Sequence, residues 1–417
     1  MKVIVLGAGV VGVTSAYYLA KAGHDVTVVD RRPGAGLETS FANGGQISAS
    51  HAEPWANPKT PGVILKWLGR AGAPMKFPFR LDPAQWAFGL RFLVNCTAKR
   101  ARINTERILR VGLYSRSLRA GLLAETAVAH DLSDGILHIF RDAQALDRAA
   151  EIFGYLGQIG CATERLDADR CVAREPALAV HRDTLAGGFY CADDASGDCH
   201  KLAEGLAREC AQLGVTFLYD TEIRALRTEH GRATGVLTAN GMLEADAISV
   251  SMGSYSRRLV APFGVALPIY PAKGYSVTLP TDGHNGAPQI SVTDEAHRLV
   301  YSRLGERLRI AGTAAFTGYD TSIDHRAARA MLDAAMEEFP GCGDPARAEF
   351  WTGLRPLMPD CVPVIGPTPV PGLYLNTGHG SLGWTLCYGS AKLLADLISG
   401  NPTDIDPSGL GLDRFGS

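Results

Sequence analysis

The stretch KVIVLGAGVVG at residues 2–12 decides the fold of the N-terminal region. The unbroken apolar run 2–6 is typical of a strand that is buried on both faces of a parallel sheet. The glycines that follow it open a predicted helix to about Ala22, with Gly23 as the C-cap. Residues 25–29 (DVTVV) predict a second buried strand that ends at Asp30. This order predicts a dinucleotide-binding βαβ unit.

Each glycine of the motif has its own physical task. Gly7 permits the tight turn, Gly9 lets the backbone approach a pyrophosphate, and Gly12 allows the helix to pack closely on the strand. The N-terminus of the helix offers N–H groups and a positive dipole end to the phosphates. Asp30 is expected to accept hydrogen bonds from the ribose hydroxyls. The other residues that we assign to this end of the cofactor are Val10, Val11, Arg31 and Ile223.

Two further glycine-rich loops favour a flavin over a nicotinamide. The sequence does not continue with regular βα units after Asp30, but enters the loop TSFANGGQIS at residues 39–48. Taken alone, this loop fits a surface loop with incidental glycines equally well. The segment GHGSLGW at residues 378–384 then opens a last predicted helix, whose N-terminus suits the negative charge of a reduced flavin ring. The ring-binding residues that these loops predict are Thr39, Ser40, Gly44, Gly45, Gln46, Gly378, His379, Gly380, Ser381, Leu382, Gly383 and Trp384.

Length and composition limit the class of protein. A chain of 417 residues suits two packed domains, and a formal charge of −2 gives no reason to expect nucleic acid as a partner. Nine cysteines without a C-x-x-C pair predict neither a disulfide framework nor a metal site. The N-terminal apolar run is expected to be a strand rather than a signal peptide, and no stretch of about 18 apolar residues predicts a membrane span. We therefore expect a cytoplasmic protein, with peripheral attachment to the inner face of the cytoplasmic membrane left open.

The remaining pattern predicts an α/β fold: a discontinuous Rossmann-like domain and an antiparallel-sheet substrate domain. The predicted cofactor domain comprises residues 1–85, 197–262 and 353–417, and the substrate domain comprises 130–196 and 263–352, with a helical connection at 86–129. The helices predicted along the chain are a long helical tract at roughly 83–130 and helices at 143–158, 201–214, 325–338 and from Ser381 to before Gly400. The predicted strands lie at 135–140 and 187–190, the latter before a turn at 193–197. Three β segments follow up to residue 251, and antiparallel strands lie within 268–316.

Seven segments of the chain resemble the FAD-dependent D-amino-acid oxidase superfamily, which includes glycine oxidase and sarcosine oxidase. Within it, the chain is most similar to the bacterial dehydrogenases that are linked to the respiratory chain. The resemblance covers essentially the full length, and the one departure is Gly44 where the dehydrogenases have alanine. The segments that carry it are residues 7–30, 39–48, 197–201, 273–276, 303–312, 351–360 and 378–384.

The resemblance implies oxidative deamination of D-amino acids to 2-oxo acids and ammonia, with electrons passed to a quinone or another respiratory acceptor. Arg355 of the segment WTGLRP would pair with the substrate carboxylate, and a planar guanidinium suits that task. The FAD would be noncovalent, because residues 351–358 have no cysteine ahead of the Pro359-Asp360 pair. His51, Tyr275 and Tyr301 are candidate substrate contacts, although ordinary packing explains each of them as well. His379 would either contact the flavin edge or brace its own loop.

Residues 54–95 are rich in aromatic side chains within proline- and glycine-rich sequence. They fit either core packing or a hydrophobic, membrane-contacting surface through which a quinone reaches the flavin. Three other functions remain open: oxidation of a secondary amine of the sarcosine, D-proline or hydroxyproline type, a direct oxidase, and a non-catalytic dinucleotide sensor. A flavin-dependent disulfide reductase is disfavoured, because a redox cysteine pair is absent after the first helix.

Overall fold

The computed structural model describes residues 1–67, 75–78 and 80–415. Its strands are β1 (Lys2–Leu6), β2 (Asp25–Val29), β3 (Gln46–Ile47), β4 (Met75–Lys76), β5 (Ser133–Phe140), β6 (Glu164–Leu166), β7 (Gly187–Ser196), β8 (Thr216–Leu218), β9 (Ile223–Glu229), β10 (Arg232–Thr238), β11 (Gly241–Glu244), β12 (Ala247–Val250), β13 (Tyr270–Pro280), β14 (Ser291–Asp294), β15 (Leu299–Leu304), β16 (Arg307–Ala315), β17 (Glu349–Leu357), β18 (Val364–Pro367) and β19 (Leu373–Thr377). Its α-helices are α1 (Val10–Lys21), α2 (Thr60–Trp67), α3 (Pro83–Asn95), α4 (Ala98–Thr126), α5 (Ala143–Gln158), α6 (Ala168–Arg174), α7 (Cys199–Gln212), α8 (Ser256–Val260), α9 (His325–Glu338) and α10 (Gly383–Ser399).

The first sheet has six strands in the order β18-β19-β12-β1-β2-β8. Five of them run parallel, and β18 joins the edge antiparallel. The central strand β1 is apolar and buried from Val3 to Leu6, as a strand covered on both faces must be. Helix α1 packs against α7 and α10. This is the Rossmann-like layer that the N-terminal motif predicts.

The second sheet is mostly antiparallel and has the order β17-β13-β16-β15-β14-β5-β7-β3. Its core contains Val277, Ile310 and Tyr301, with α9 packed against β13 and β16. The predicted α/β architecture with an antiparallel substrate sheet is confirmed. The predicted domain boundaries remain a prediction. The short strands β3 and β4 lie within the predicted cofactor domain, residues 1–85, but they pair with strands of the second sheet.

Two element predictions are wrong in detail, and one predicted tract is divided. The helical tract predicted at 83–130 consists of two helices, because the chain turns at Cys96 and Thr97 caps a new helix by accepting from Arg100 N. The strand predicted at 187–190 continues to Ser196, since the predicted turn residues pair with β3 and β5. Five short strands, not three, lie between residues 216 and 250. The polar residues at 193–196 are typical of a turn, and their sequence alone does not reveal that they pair with β3 and β5.

No helix in the described part of the chain is both long and apolar enough to cross a membrane. The nine cysteines are all unpaired, and eight of them are buried.

Candidate active site

A cavity of ≈ 1250 Å³ extends from the N-terminus of α1 to the second sheet. The three glycine-rich segments of the sequence all contribute to its wall. The predicted cofactor residues that line it are Gly7, Gly9, Val10, Val11, Asp30, Arg31, Thr39, Ser40, Gly44, Gly45, Gln46, Ile223, His379, Gly380, Ser381, Leu382, Gly383 and Trp384. Gly12 and Gly378 support this wall from behind, where a Cβ on Gly12 would overlap the Gly7 carbonyl oxygen and one on Gly378 would lie 2.7 Å from Met358.

Asp30 lies at one end of the cavity, where the backbone holds its carboxylate in place. Its Oδ2 accepts from Ala8 N at 2.6 Å, and its Oδ1 accepts from Arg32 N at 2.8 Å. Burial raises the pKa of Asp30, and these two hydrogen bonds oppose that shift. Each oxygen keeps a further lone pair, so the carboxylate can still accept from a hydroxyl.

The N-termini of α1 and α10 differ from those of most other helices. Helices α3 to α7 and α9 each begin after an Asp or Thr whose side chain accepts from a first-turn N–H. The N-caps of α1 and α10 are Gly9 and Leu382, and neither provides such a cap. In α1, Ser40 Oγ accepts from Val10 N at 3.0 Å from across the cavity. Uncapped helix N-termini are natural anion sites, and both belong to residues of the cavity wall.

These observations fit a dinucleotide with a flavin ring. The first uncapped terminus matches a pyrophosphate, and the second matches the ring edge that becomes negative on reduction. The loop between them has Gly45 in the left-handed region at φ 70°, where its Cβ would meet the Gly197 carbonyl oxygen at 3.0 Å. Gln46 Nε2 donates to Ser291 and Thr293, which fixes this loop to the second sheet.

Arg355 lies on β17 with its guanidinium at the cavity wall. Burial lowers its pKa to about 10, so that it remains a cation at neutral pH. Its Nη1 donates to the Thr313 carbonyl at 2.9 Å, and in the described part of the chain no carboxylate lies within ion-pairing distance. A partly buried cation at a cavity wall, with no carboxylate beside it, is suited to an anionic ligand.

A β-bulge shapes this position. Between β13 and β16, the two residues Thr313 and Ala314 oppose Gly274 alone. Thr313 takes φ 57°, a strained value for a β-branched residue, and directs its carbonyl to Arg355. A Cβ on Gly274 would overlap the guanidinium of Arg355, so a larger residue there would displace the guanidinium from this position.

The structure separates the other candidate substrate residues. Tyr275 lines the cavity on β13, one strand away from Arg355. Tyr301 does not: it is buried in the core of the second sheet, with its ring edge-on to Phe339. The alternating pattern of β15 could not show which face is covered by α9.

His51 lies in a different part of the cavity, with its ring 4.6 Å from that of His138 on β5. The Arg355 guanidinium reaches Thr313 on β16, and strands β16 and β5 are three positions apart in the sheet, or about 14 Å along it. That separation argues against a contact of His51 with a small substrate held by Arg355. Burial, followed by the charge of His138, lowers the pKa of His51 to about 3.

The sequence did not indicate that His51 lies beside His138, or that His138 is itself paired with Glu295 and Ser50. His138 Nδ1 lies 3.1 Å from Glu295 Oε1, and its Nε2 lies 3.0 Å from Ser50 Oγ. Burial opposes ionisation of Glu295, but the bond to His138 holds its pKa at about 2. Ligand atoms of His51, His138 and Glu295 lie within 4.8 Å of one another, yet both His138 nitrogens already have hydrogen-bond partners. The absence of a metal site remains a prediction.

His379 also lines the cavity, and burial lowers its pKa to about 3. Its Nε2 lies 3.2 Å from Ser390 Oγ on α10. The ring therefore braces the loop against the helix as a neutral imidazole while it remains beside the cavity.

The aromatic residues of 54–95 are in several environments. Trp55 and Trp67 line the cavity. Phe77 stacks on Phe316, and Phe88 and Phe92 are buried, which is the predicted core packing. Trp86 is half exposed. Phe79 lies outside the described residues.

The Rossmann-like sheet, the second sheet and the glycine-rich cavity are features of a dinucleotide-binding enzyme of the flavoprotein class. The sequence profile of the family described as "FAD dependent oxidoreductase" matches residues 2–397. The chain belongs to this family, and it is an FAD-dependent oxidoreductase. Cys361, which follows the Pro-Asp pair, is buried and is not among the described residues of the cavity wall.

Curated relatives match along the whole chain. A D-amino acid dehydrogenase of Paramagnetospirillum magneticum is 53% identical over 419 residues, covering 100% of this chain and 99% of the relative. A D-amino acid dehydrogenase of Sinorhizobium medicae is 47% identical, with 100% of both chains covered. Among solved structures, glycine oxidase from Geobacillus kaustophilus superposes with a TM-score of 0.76 at 23% identity, covering 99% of this chain and 98% of that one.

Proposed function

We propose that the protein oxidises D-amino acids to 2-oxo acids and ammonia, using a noncovalently held FAD. The observation that carries the proposal is the Arg355 guanidinium, a partly buried cation at the cavity wall with no carboxylate in ion-pairing range in the described chain. The names of the relatives, D-amino acid dehydrogenases at 45–53% identity, support the same substrate class. When bound, FAD supplies the acceptor for the hydride that leaves Cα.

The side chains of the protein act in this reaction chiefly by positioning. Arg355 would hold the carboxylate through two parallel hydrogen bonds and so fix which face of Cα meets the ring. Thr313 and Gly274 keep the guanidinium in that orientation. The amine reacts in its neutral form, so no side chain has to act as an essential base, and neutral His51 and His379 agree with this. Water then hydrolyses the imino acid.

Anaerobic mixing tests the substrate class. The yellow protein is combined with D-alanine, L-alanine, D-proline or sarcosine, and flavin absorbance is followed. We expect bleaching by D-alanine and not by L-alanine. Bleaching by sarcosine or D-proline alone would favour a secondary-amine dehydrogenase instead, and rapid recovery on admission of air would favour an oxidase. A protein that does not bind FAD would contradict the proposal altogether.

We also propose a quinone, or a similar respiratory carrier, as the electron acceptor. The apolar side chains Val63, Trp67, Ile152 and Phe153 line one part of the cavity and suit a lipid-soluble molecule. Val63→Asp with Trp67→Asp should therefore slow reduction of a short-chain ubiquinone more than reduction of a water-soluble dye. Equal loss of both activities would contradict this acceptor.

A further inference from the structure

Five buried polar atoms around α4 and α10 have no hydrogen-bond partner in the described part of the chain. They are Tyr388 OH, Trp384 Nε1, Ser196 Oγ, His130 Nε2 and Arg119 Nη1. The first four belong to side chains that are at most 3% exposed. Buried polar atoms in native proteins are almost always paired, so a group of them in one region indicates that a ligand or an ion binds there.

Four of these side chains meet although they come from different segments. Tyr388 follows Trp384 by one turn of α10, so that the two lie on the same face of the helix. The Trp384 ring stands edge-on to the His130 ring, with 6.1 Å between the centroids. A Cβ on Gly197, the neighbour of Ser196, would lie 3.2 Å from the Trp384 ring and 2.8 Å from the His130 carbonyl oxygen.

Arg119 brings a positive charge to this group from α4. One turn earlier on the same face, the backbone of Ser115 packs on α10, where a Cβ on Gly389 would lie 2.9 Å from Ser115 N. Burial raises the pKa of Tyr388 well above its usual range, and Trp384 and the charge of Arg119 both oppose that shift. The three polar groups are therefore neighbours.

The fold does not balance the charge of Arg119. Within the described ranges, Arg119 makes neither an ion pair nor a hydrogen bond, and its Nη1 is buried. The carboxylates on the far side of His130 are engaged elsewhere, because Asp131 pairs with Lys201 and Asp198 pairs with Arg307. A partly buried guanidinium beside further N–H and O–H donors is suited to an anion.

We infer that a small inorganic anion of the chloride type binds between α4 and α10, where Arg119, Trp384 and Tyr388 donate to it. A water molecule alone would leave the positive charge unbalanced. His130 does not donate, because its Nδ1 donates to the Val128 carbonyl at 2.8 Å and its Nε2 is then an acceptor, which a water that hydrates the ion can satisfy. Since α4 and α10 are in contact at Gly389, the space suits a monatomic ion rather than an extended ligand.

The position of the ion connects it to the cofactor cavity. Trp384 lies in the first turn of α10 and also lines the cavity. An anion that accepts from the Trp384 N–H holds the ring in one orientation and so supports the turn where we expect the flavin ring. This consequence for the cofactor rests on the proposed position of the ring, whereas binding of the ion does not.

Thermal unfolding of the FAD-loaded protein in sodium chloride and in sodium gluconate tests the inference. We expect Tm to rise by about 1 °C or more between about 10 and 150 mM chloride at constant ionic strength, because the ion binds only the folded state. Arg119→Met should abolish this rise. Tyr388→Phe keeps the ring, removes one donor and should at least halve the rise. Arg102→Met removes a side chain that is 69% exposed on the same helix, and this control should keep the full rise.

Anomalous diffraction from crystals grown in bromide locates the ion. A bromide peak within about 3.5 Å of Arg119 and of the Trp384 Nε1 is expected. Four results would overturn the inference: an equal rise of Tm in gluconate, a full rise in both site variants, water in place of bromide, or a bromide peak without a chloride effect on Tm.

D-alanine-dependent dye reduction is measured on the same samples. Loss of dye reduction in the wild type with the chloride effect intact would contradict the proposed function and leave the anion site standing.

Discussion

At the scale of single residues, the site depends on how one cation is held. Arg355 has one backbone acceptor, the Thr313 carbonyl, at 2.9 Å, so most of its five N–H donors are left for a ligand. A lysine would offer a point charge on a flexible stem and would lose the planar fit to a carboxylate.

The first prediction concerns this cation. Arg355→Met should retain FAD but reduce kcat/KM for D-alanine by about 100-fold or more, since a charge-assisted pair is lost. Steady-state dye reduction and the flavin spectrum measure the two effects. Arg347→Met, which removes the exposed pair with Asp282, is the control and should leave kcat/KM unchanged. A wild-type kcat/KM in the Arg355 variant would place the substrate elsewhere.

A second prediction uses two glycines. Gly274→Ala adds a methyl group that overlaps the Arg355 guanidinium, so KM for D-alanine should rise by at least about tenfold while the protein remains folded. Gly154→Ala adds the same group on α5 with nothing within 4 Å, and should leave KM unchanged and slightly stabilise the helix. Equal kinetics of the two variants would show that the contact with Gly274 does not set the position of Arg355.

The sequence indicated Arg355 through its motif, but not Thr313. A bulge depends on the register between β13 and β16, and register does not appear in the composition of either strand. The pair His138–Glu295 was missed for a related reason, because the two residues are 157 positions apart and meet only through the pairing of β5 with β14.

At the scale of elements, the helix N-termini distinguish binding helices from supporting ones. The capped helices use the side chain of the N-cap residue to accept from a first-turn N–H group. Helices α1 and α10 have no such cap, and in α1 one of these groups, Val10 N, donates to Ser40 Oγ instead. The glycines that predicted these turns were therefore informative in the sequence. The break between α3 and α4 was not visible in the sequence, because neither a proline nor a glycine marks residues 96–97 and only the Thr97 side chain caps the new helix.

A third prediction follows from the N-cap of α1. Gly9→Asp should cap the helix and preserve the folded protein, yet abolish retention of FAD, because its carboxylate would face the pyrophosphate. Gly9→Asn caps equally well without the charge, so it should retain more FAD than the Asp variant. Flavin absorbance per protein after gel filtration measures this. Equal retention by both variants would show that the phosphates do not meet this terminus.

At the scale of the whole molecule, buried neutral histidine links stability to pH. His379 is 3% exposed, and burial lowers its pKa from 6.5 to about 3. Below pH 6.5 this histidine binds a proton in the unfolded chain but stays neutral in the folded protein. Its contribution to the free energy of unfolding is therefore fully present above pH 6.5 and is lost as the pH falls towards 3.

The fourth prediction gives this loss a size. Between pH 7 and pH 5, His379 should reduce the free energy of unfolding by about 2 kcal/mol. Urea unfolding in excess FAD at both pH values measures it, and His379→Asn should show a correspondingly smaller difference between them. The exposed His284→Asn is the control and should retain the full difference. An unchanged difference in the His379 variant would contradict the assignment.

The order of strands in the first sheet has a consequence for biosynthesis. Strand β1 leaves the ribosome before its neighbour β12, which follows more than 200 residues later, and β19 and α10 come later still, at residues 373–399. A nascent chain therefore contains the N-terminus of α1, where we expect the pyrophosphate, long before the N-terminus of α10, where we expect the flavin ring. Loading of FAD would be a late event in synthesis, and the yellow colour would mark only those molecules whose translation passed α10.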